Sequence, residues 1–270
     1  MKTIDAILFV GLGNMAGAIL DGWLASGLEP GRFSAIDPGR ESAPDGVTLL
    51  PEAPAQGEFD LVMFGVKPQL LDAVAPTVEH LVGPETVLMS MLAGAPVSTL
   101  REHFPRAGAF VRLMPNLAAA ISASPCGLWS DDLDDEARAG ITRLVDRLGS
   151  AEWLESEELF HPFTALAGSG PGYVYRFIET LARAGADVGL DPGQAERMAV
   201  QMVEGAARLA AGAKASPGEL ARRVASPGGT TQAGLDVLDD SDAMRTLMRA
   251  CLQAARDRSV EMAGKSSKDG

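Results

Sequence analysis

Cysteine and histidine are scarce in this chain of 270 residues, which has two of the first and three of the second. Cys126 and Cys251 lie far apart and form no C-x-x-C pattern, so a disulfide framework is not indicated and reduced thiols are expected. His80, His103 and His161 are scattered, and with so few soft ligands no metal site is expected. Basic residues are also short: 23 Lys and Arg stand against 36 Asp and Glu, a net charge of −13. That balance argues against a nucleic-acid binder, which needs a basic stripe. No apolar run is long enough to span a bilayer; the longest lies near residues 87–97. The opening "MKTIDAILFVGLGNMAGAIL" imitates a signal peptide, but Asp5 interrupts it. Gly11, Gly13 and Asn14 also fall where a secretory core stays apolar. The expectation is a cytoplasmic protein, with neither membrane nor nucleic acid as partner. There is no internal repeat, and the polar "GKSSKDG" at the end is expected to be disordered.

What is present is a large apolar fraction, 46%, enough for a sizeable core. The first 150 residues alternate short apolar runs with helical patterns. Strands are expected at 4–10, 33–37, 60–66, 86–92, 109–113, 126–130 and 151–154. Helices are expected at about 14–26, 69–82, 97–104 and 134–148. Strands alternating with helices imply a mainly parallel sheet covered on both faces. After about residue 155 the strand-like runs stop and alanine becomes abundant. Helical patterns follow at about 173–186, 192–213, 217–224 and 242–263. Ala199, Met202, Val203, Ala206, Leu209 and Ala210 share one face, as do Met244, Leu247, Met248, Cys251, Leu252 and Ala255. Stripes of this kind suit a dimerisation module, and they suit packing inside one chain equally.

"ILFVGLGNMAGAIL" reads as strand, glycine turn, helix. Gly11, Gly13 and Ala16 fit G-x-G-x-x-G/A. In that motif the first glycine makes the tight turn, the second admits a pyrophosphate, and the small third residue packs helix on strand. The helix that opens at Asn14 and Met15 offers free N–H groups to phosphate. Asp37 ends the second strand, 20 residues after Gly17, where a carboxylate holds a ribose 2′-OH and favours NAD. Arg40, three residues on, suits a 2′-phosphate instead, and the two signals conflict. Further loops follow later strands: Val66, Lys67 and Pro68 in "GVKPQ", Ala93 and Gly94 in "MLAGAP", and Asn116 in "RLMPN". Open α/β sheets bind ligands at that edge. The expected fold class is therefore α/β: an N-terminal Rossmann-type doubly wound sheet followed by an all-helical C-terminal dimerisation domain. The expected boundaries are 1–155 for the first, 156–264 for the second and 265–270 for a tail.

"RRVASPGGTTQAGLDVL" (222–238) interrupts the helical half. Two glycines inside a helix cost roughly 1 kcal/mol each relative to alanine. Ser226 before Pro227 reads as an N-cap and first helical residue, with a helix over 227–239. That helix end would present the N–H groups of Gly228, Gly229, Thr230 and Thr231. A small carboxylate is the natural guest there, and a helix–helix turn with glycines for packing accounts for the same residues equally well. A similar reading of "AGSGPGYVY" (167–175) gives a turn and the start of a helix, with Ser169 or Gly170 as cap.

Taken together, "GLGNMAGAI", "VKPQ", "SMLAG", "RLMPN", "TALAGSGPGYVYRFIETLARAGADVGL" and "SPGGTTQAGLDVL" resemble the pyrroline-5-carboxylate reductase family, in family order from about residue 7 to 262. The resemblance implies reduction of 1-pyrroline-5-carboxylate to L-proline with hydride from NADPH or NADH. It also implies a helical domain interleaved with that of a second subunit, in dimers that often build rings. It implies a substrate site at Ser226, Gly228, Gly229, Thr230 and Thr231, with the Thr231 hydroxyl on the ring nitrogen or carboxylate as the candidate catalytic group. Glu157 matches a position near the substrate and reads equally as a surface glutamate. Glu52 stands where relatives often carry an asparagine against the adenosine ribose, Gly172 where alanine is usual, and Lys214 where some have an acid.

Two other readings compete. An imine or β-hydroxyacid reductase on the same plan would place a catalytic lysine or aspartate in the first long helix after the linker, where this chain offers Arg176, Glu179 and Arg183. A non-catalytic dinucleotide-binding regulator would keep the fold without turnover.

Overall fold

Apolar runs of about four residues bounded by glycine and proline form strands, because each can be buried on both faces by helices. In the computed structural model, residues 4–92 and 94–266 are described, the last three of them for the backbone only. The strands are β1 (Ile7–Val10), β2 (Phe33–Ile36), β3 (Thr48–Leu50), β4 (Leu61–Phe64), β5 (Val87–Ser90), β6 (Ala109–Met114), β7 (Ser124–Trp129) and β8 (Gly149–Trp153). They form a single sheet in the order β3-β2-β1-β4-β5-β6-β7-β8. Pairing is parallel from β3 across to β6, antiparallel between β6 and β7, and parallel again between β7 and β8. β3 is absent from the sequence expectation. It has one exposed and two half-buried residues and pairs only with β2, too short for any periodicity to show.

Alternation along β1 sorts the core into two layers. Ile7 and Phe9 join a cluster with Ile19, Trp23, Phe33 and Ile141, while Leu8 and Val10 join one with Leu71, Val78, Leu100 and Phe104. The first layer is covered by α1 (Asn14–Ala25) and α4 (Asp135–Val145), the second by α2 (Leu71–Val78) and α3 (Val97–His103). Trp23 is fully buried and stacks on Phe33, with ring centroids 5.8 Å apart. Its indole N–H donates to the Leu144 carbonyl at 2.9 Å, so the ring is buried without an orphaned donor. Burying each such side chain contributes roughly 1.5–3 kcal/mol.

The remaining helices are α5 (Phe160–Phe163), α6 (Gly170–Asp187), α7 (Pro192–Gly212), α8 (Pro217–Val224), α9 (Thr230–Asp239) and α10 (Ala243–Ser266). α10 runs through Ser266, so the expected disorder of the tail fails for its first residues, and 267–270 lie outside the described residues. The segment expected to turn at 167–175 is instead helical throughout: a π-helical turn at Thr164–Gly168 leads from α5 into α6. Ser169 has helical φ and ψ and makes no side-chain cap.

The chain forms two compact units, one of Met1–Gly168 with Ala255–Gly270 and the other of Ser169–Ala254. The first unit extends past residue 155 because 157–168 are bonded to the sheet. Glu157 accepts from Val97 and Arg112, Ala167 accepts from Asn116, and the Phe163 ring occupies the space above Gly127 that a Cβ would fill. Within the second unit α6 and α7 form a tight hairpin at Gly185 and Ala195, as small residues allow. Few of its side chains are buried: Ala182, Ala195 and Ala199 are, whereas Tyr175, Met202, Leu209, Val237 and Leu247 are 49–75% exposed.

Candidate active site

The glycine turn after β1 lies where strand order switches, with β2 on one side of β1 and β4 on the other. Such switch points are where doubly wound sheets bind ligands. Gly11 has φ +86°, and a Cβ there would come within 2.9 Å of the Val66 side chain. Its role is a turn packed against the loop after β4. Gly65 lies equally close: a Cβ on it would meet the Gly11 carbonyl at 2.9 Å and the Ala16 methyl at 3.1 Å. Gly65 was missed in the sequence, although a glycine directly after a strand beside the expected motif is a readable signal. Gly13 differs. It caps α1 with no side-chain bond, and a Cβ there would meet nothing within 4 Å. No internal packing calls for glycine at that position, so the open space above it fits an approaching pyrophosphate. Asn14, Met15 and Ala16 follow as the first helical residues, with amides free of intrahelical partners.

Asp37 and Arg40 take different parts. Both Asp37 oxygens are engaged by backbone: Oδ2 accepts from Leu12 N at 2.8 Å and Oδ1 from Gly39 N at 2.9 Å. Arg40 is exposed, with one guanidinium nitrogen 3.7 Å from the Cβ position of Gly17 on α1. Lys67 is exposed ahead of the turn that Pro68 opens, and Gly94 has φ +77°. Ala93 lies outside the described residues. Asn116 is 6% exposed and its amide is used internally: Oδ1 accepts from Ala118 N and Nδ2 donates to Ala167 O, both at 2.9 Å. Its main chain is engaged as well: the N–H donates to Ser124 Oγ and the carbonyl accepts from Ala119 N, both at 3.0 Å.

Glu157 is neither a surface glutamate nor free. Its Oε1 accepts from Val97 N, at the start of α3, at 2.9 Å and from Arg112 Nη1 at 3.0 Å. The Arg112 guanidinium lies 4.4 Å from the centre of the Phe160 ring. Burial pushes the Arg112 pKa down and Glu157 opposes that shift. This pair ties β6, α3 and α5 together.

In the second unit, Ser226, Pro227, Gly228 and Gly229 form a turn. Gly229 N donates to Ser226 O at 2.9 Å, and Gly228 has φ +71°. Proline second and a positive-φ glycine third are the marks of a type II turn. The expectation that Ser226 caps a helix beginning at Pro227 is therefore corrected. α9 begins at Thr230 with Gly229 as its N-cap and no side-chain cap bond. The contrast with α8 gives the reason. There Ser216-Pro217-Gly218 does start a helix, because Glu219 completes a reciprocal capping box with Ser216. Gly229 holds the corresponding position after Ser226 and cannot reach back. Since Gly229 N–H is spent on the turn, the free amides at this end belong to Thr230, Thr231 and Gln232; Ala233 N already donates to Gly229 O at 3.2 Å. Gln232 was missed because its place followed from a helix start three residues too early. Both threonines are exposed. A helix end with three free amides, no side-chain cap and a flanking hydroxyl can hold a small carboxylate.

Residues 157–262 match the family described as pyrroline-5-carboxylate reductase dimerisation. The chain is 34% identical over 268 residues to the pyrroline-5-carboxylate reductase of Pseudomonas aeruginosa, covering 95% of this chain and 96% of that protein. The chain belongs to the pyrroline-5-carboxylate reductase family. It is also 32% identical to pyrroline-5-carboxylate reductase 2 of Bacillus subtilis, covering 94% of each. Among solved structures, a pyrroline-5-carboxylate reductase from Coxiella burnetii matches with a TM-score of 0.87 at 30% identity, over 96% of this chain and 98% of that one. The Plasmodium falciparum pyrroline carboxylate reductase, solved with NADP bound, shares the fold at 20% identity with a TM-score of 0.80, over 97% of this chain and 100% of that one.

Membership of the pyrroline-5-carboxylate reductase family accounts for the exposed apolar faces of the helical unit. Surfaces of that kind mark association, and the chain forms homo-oligomers. In α6, Glu179 pairs with Arg176 at 2.5 Å and with Arg183 at 3.8 Å on an exposed face. Those residues are surface pairs; α6 has no lysine, and its one aspartate, Asp187, is the last residue of the helix. Among the described residues no helix is long and apolar enough to cross a membrane, and no cluster of His, Cys, Asp or Glu could hold a metal ion.

Proposed function

We infer that this chain reduces 1-pyrroline-5-carboxylate to L-proline, the last step of proline biosynthesis, with NADPH or NADH as hydride donor. The observation that carries the reading is the start of α9. Three free amides and the Thr231 hydroxyl stand at an exposed helix end, in a chain that matches the family along 95% of its length. No side chain donates hydride; the reduced nicotinamide supplies it when bound. Gly13 and the α1 amides hold its pyrophosphate, with Gly11 and Ala16 shaping the turn. The loops at Val66–Pro68 and Gly94 complete the cofactor side, with Asn116 bracing the loop after β6 beside them.

The Thr230, Thr231 and Gln232 amides take the substrate carboxylate, and the positive end of the helix favours that charge. The Thr231 hydroxyl donates to the carboxylate or accepts from the ring N–H of the iminium, which orients the C=N bond. Orientation of this kind supplies much of the rate in a hydride transfer. A threonine hydroxyl is too weak an acid to protonate the imine, so the substrate reacts as the iminium or draws its proton from water.

Association runs through the helical region as a homodimer, supported by the exposed Tyr175, Met202, Leu209 and Leu247; assembly of dimers into rings follows the family resemblance. The unpaired Cys126 and Cys251 fit the reducing cytoplasm.

The test is oxidation of NADPH or NADH by the purified chain with and without pyrroline-5-carboxylate. Substrate-dependent oxidation yielding one proline per cofactor is expected. Cofactor oxidation only with other imines, or with the oxo acids formed by oxidation of β-hydroxyacids, would favour the related reductase. Cofactor binding with no turnover on any of them would leave a regulator.

A further inference from the structure

Resting on that reading, we propose that Asn116 is a positioning residue for hydride transfer: its side chain supplies the hydrogen bond that Pro171 cannot give to the Ala167 carbonyl, and so fixes the π-helical turn at the edge of the sheet. In a sheet of order β3-β2-β1-β4-β5-β6 a dinucleotide lies across the carboxyl edge in two halves, the adenosine half on the β1 to β3 side and the nicotinamide half over β4, β5 and β6. Asn116 follows the end of β6 at Met114, on the nicotinamide side. Each of its polar atoms is bonded within the protein. The main-chain N–H donates to Ser124 Oγ and the carbonyl accepts from Ala119 N, both at 3.0 Å. Oδ1 accepts from Ala118 N and Nδ2 donates to Ala167 O, both at 2.9 Å. The partners fix the amide's orientation, since one is an N–H and the other a carbonyl. Asn116 is therefore a joint and not a cofactor ligand.

The bond to Ala167 answers a defect written in the sequence. A helical carbonyl accepts from the N–H four residues on, and four residues after Ala167 stands Pro171, which has none. The next amide is spent elsewhere, because Gly172 N donates to Ser169 O at 3.0 Å. Ala167 also lies in the π-helical turn Thr164–Gly168, and insertions of that kind recur at functional sites. The side chain of Asn116 thus does from outside what the proline prevents from within. It also completes the anchoring of residues 157–168 to the sheet. Glu157 holds the beginning of that segment through Val97 and Arg112, and Asn116 holds its end. Fixing that end sets the spacing between the π-helical turn and the loop after β6, beside the nicotinamide half of the edge. Hydride transfer depends steeply on the placing of donor and acceptor, so a loosened turn should slow the chemistry more than it weakens binding.

The first readout needs no cofactor. Hydrogen exchange of the full chain, read by mass spectrometry, should be faster over residues 160–170 in Asn116→Ala than in the wild type. With NADPH and pyrroline-5-carboxylate, Asn116→Ala should lower kcat roughly ten- to a hundredfold and leave both KM values close to wild type. Affinity for 5′-AMP, a probe of the adenosine half alone, should not change. Asn116→Asp keeps the acceptor for Ala118 N but loses the donor, and should be as slow as Asn116→Ala. Pro171→Ala returns an N–H four residues after Ala167, so adding it to Asn116→Ala should recover part of kcat and slow the exchange again. Wild-type kcat or unchanged exchange in Asn116→Ala, a loss confined to KM, or a double variant no better than the single would overturn the proposal. None of these touches the reductase reading, which fails separately if the wild-type chain makes no proline.

Discussion

The amide of Gly229 donates to the carbonyl oxygen of Ser226 at 2.9 Å. This bond closes the turn that delivers the first amides of α9, and it explains both glycines. Gly228 is needed for its φ of +71°. Gly229 is needed because a Cβ there would fall on Ser226 Oγ and lie 3.0 Å from Ser226 O. Gly229→Ala should therefore reduce kcat/KM at least tenfold by opening the turn, not by filling the carboxylate site. Adding Ser226→Ala removes the hydroxyl clash and should recover part of the loss. Steady-state kinetics of the single and double variants check this, and a double variant no better than the single would contradict it.

Thr231→Ala removes one hydrogen bond to the substrate. Bonds to charged groups contribute about 1.5–3 kcal/mol, so kcat/KM for pyrroline-5-carboxylate should fall roughly ten- to a hundredfold. Thr231→Ser should keep most of the activity. Cofactor affinity, measured by fluorescence titration without substrate, should stay at the wild-type value.

Gly11 and Gly13 should fail in different ways. A Cβ at Gly13 meets no protein atom within 4 Å, so Gly13→Val should fold with an unchanged Tm and lose cofactor affinity. Gly11 has φ +86° and Val66 against it, so Gly11→Ala should lower the Tm outright. Paired calorimetric scans and cofactor titrations separate the two effects.

Removing the partner of Arg112 strands a cation that is 11% exposed. Glu157→Ala should cost about 2–4 kcal/mol in chemical denaturation, since an uncompensated charge remains. Arg112→Met with Glu157→Leu should cost less than Glu157→Ala alone, because the pair is then replaced by packed apolar groups. A double variant less stable than the single would mean that the ion pair itself is strongly stabilising.

The sheet was legible because each run such as "ILFV" or "LVMF" is short, apolar and followed by glycine or proline, and β3 escaped because "TLL" has no such contrast. The glycine turn was legible for the same reason that it works: only a small set of residues permits it. What the sequence concealed was hydrogen bonding. Nothing in the sequence shows that Asp37 holds the Leu12 amide or that Asn116 reaches Ala167, and Glu157 reads equally as a surface acid until Val97 and Arg112 are seen on it. Partners 25 to 60 residues away leave no local trace. The Ser-Pro-Gly starts at 216 and 226 are identical in sequence for three residues, and only the fourth, Glu219 against Gly229, decides between helix and turn.

The most direct measurement follows the hydride. NADPH deuterated at the transferable position of the nicotinamide is incubated with the chain and pyrroline-5-carboxylate, and the product is read by NMR and mass spectrometry. The expected result is L-proline carrying one deuterium at the carbon that was the C=N carbon of the substrate, formed in equal amount to the oxidised cofactor and strongly slowed in Thr231→Ala. Unlabelled proline, or cofactor oxidised without proline, would contradict the assignment.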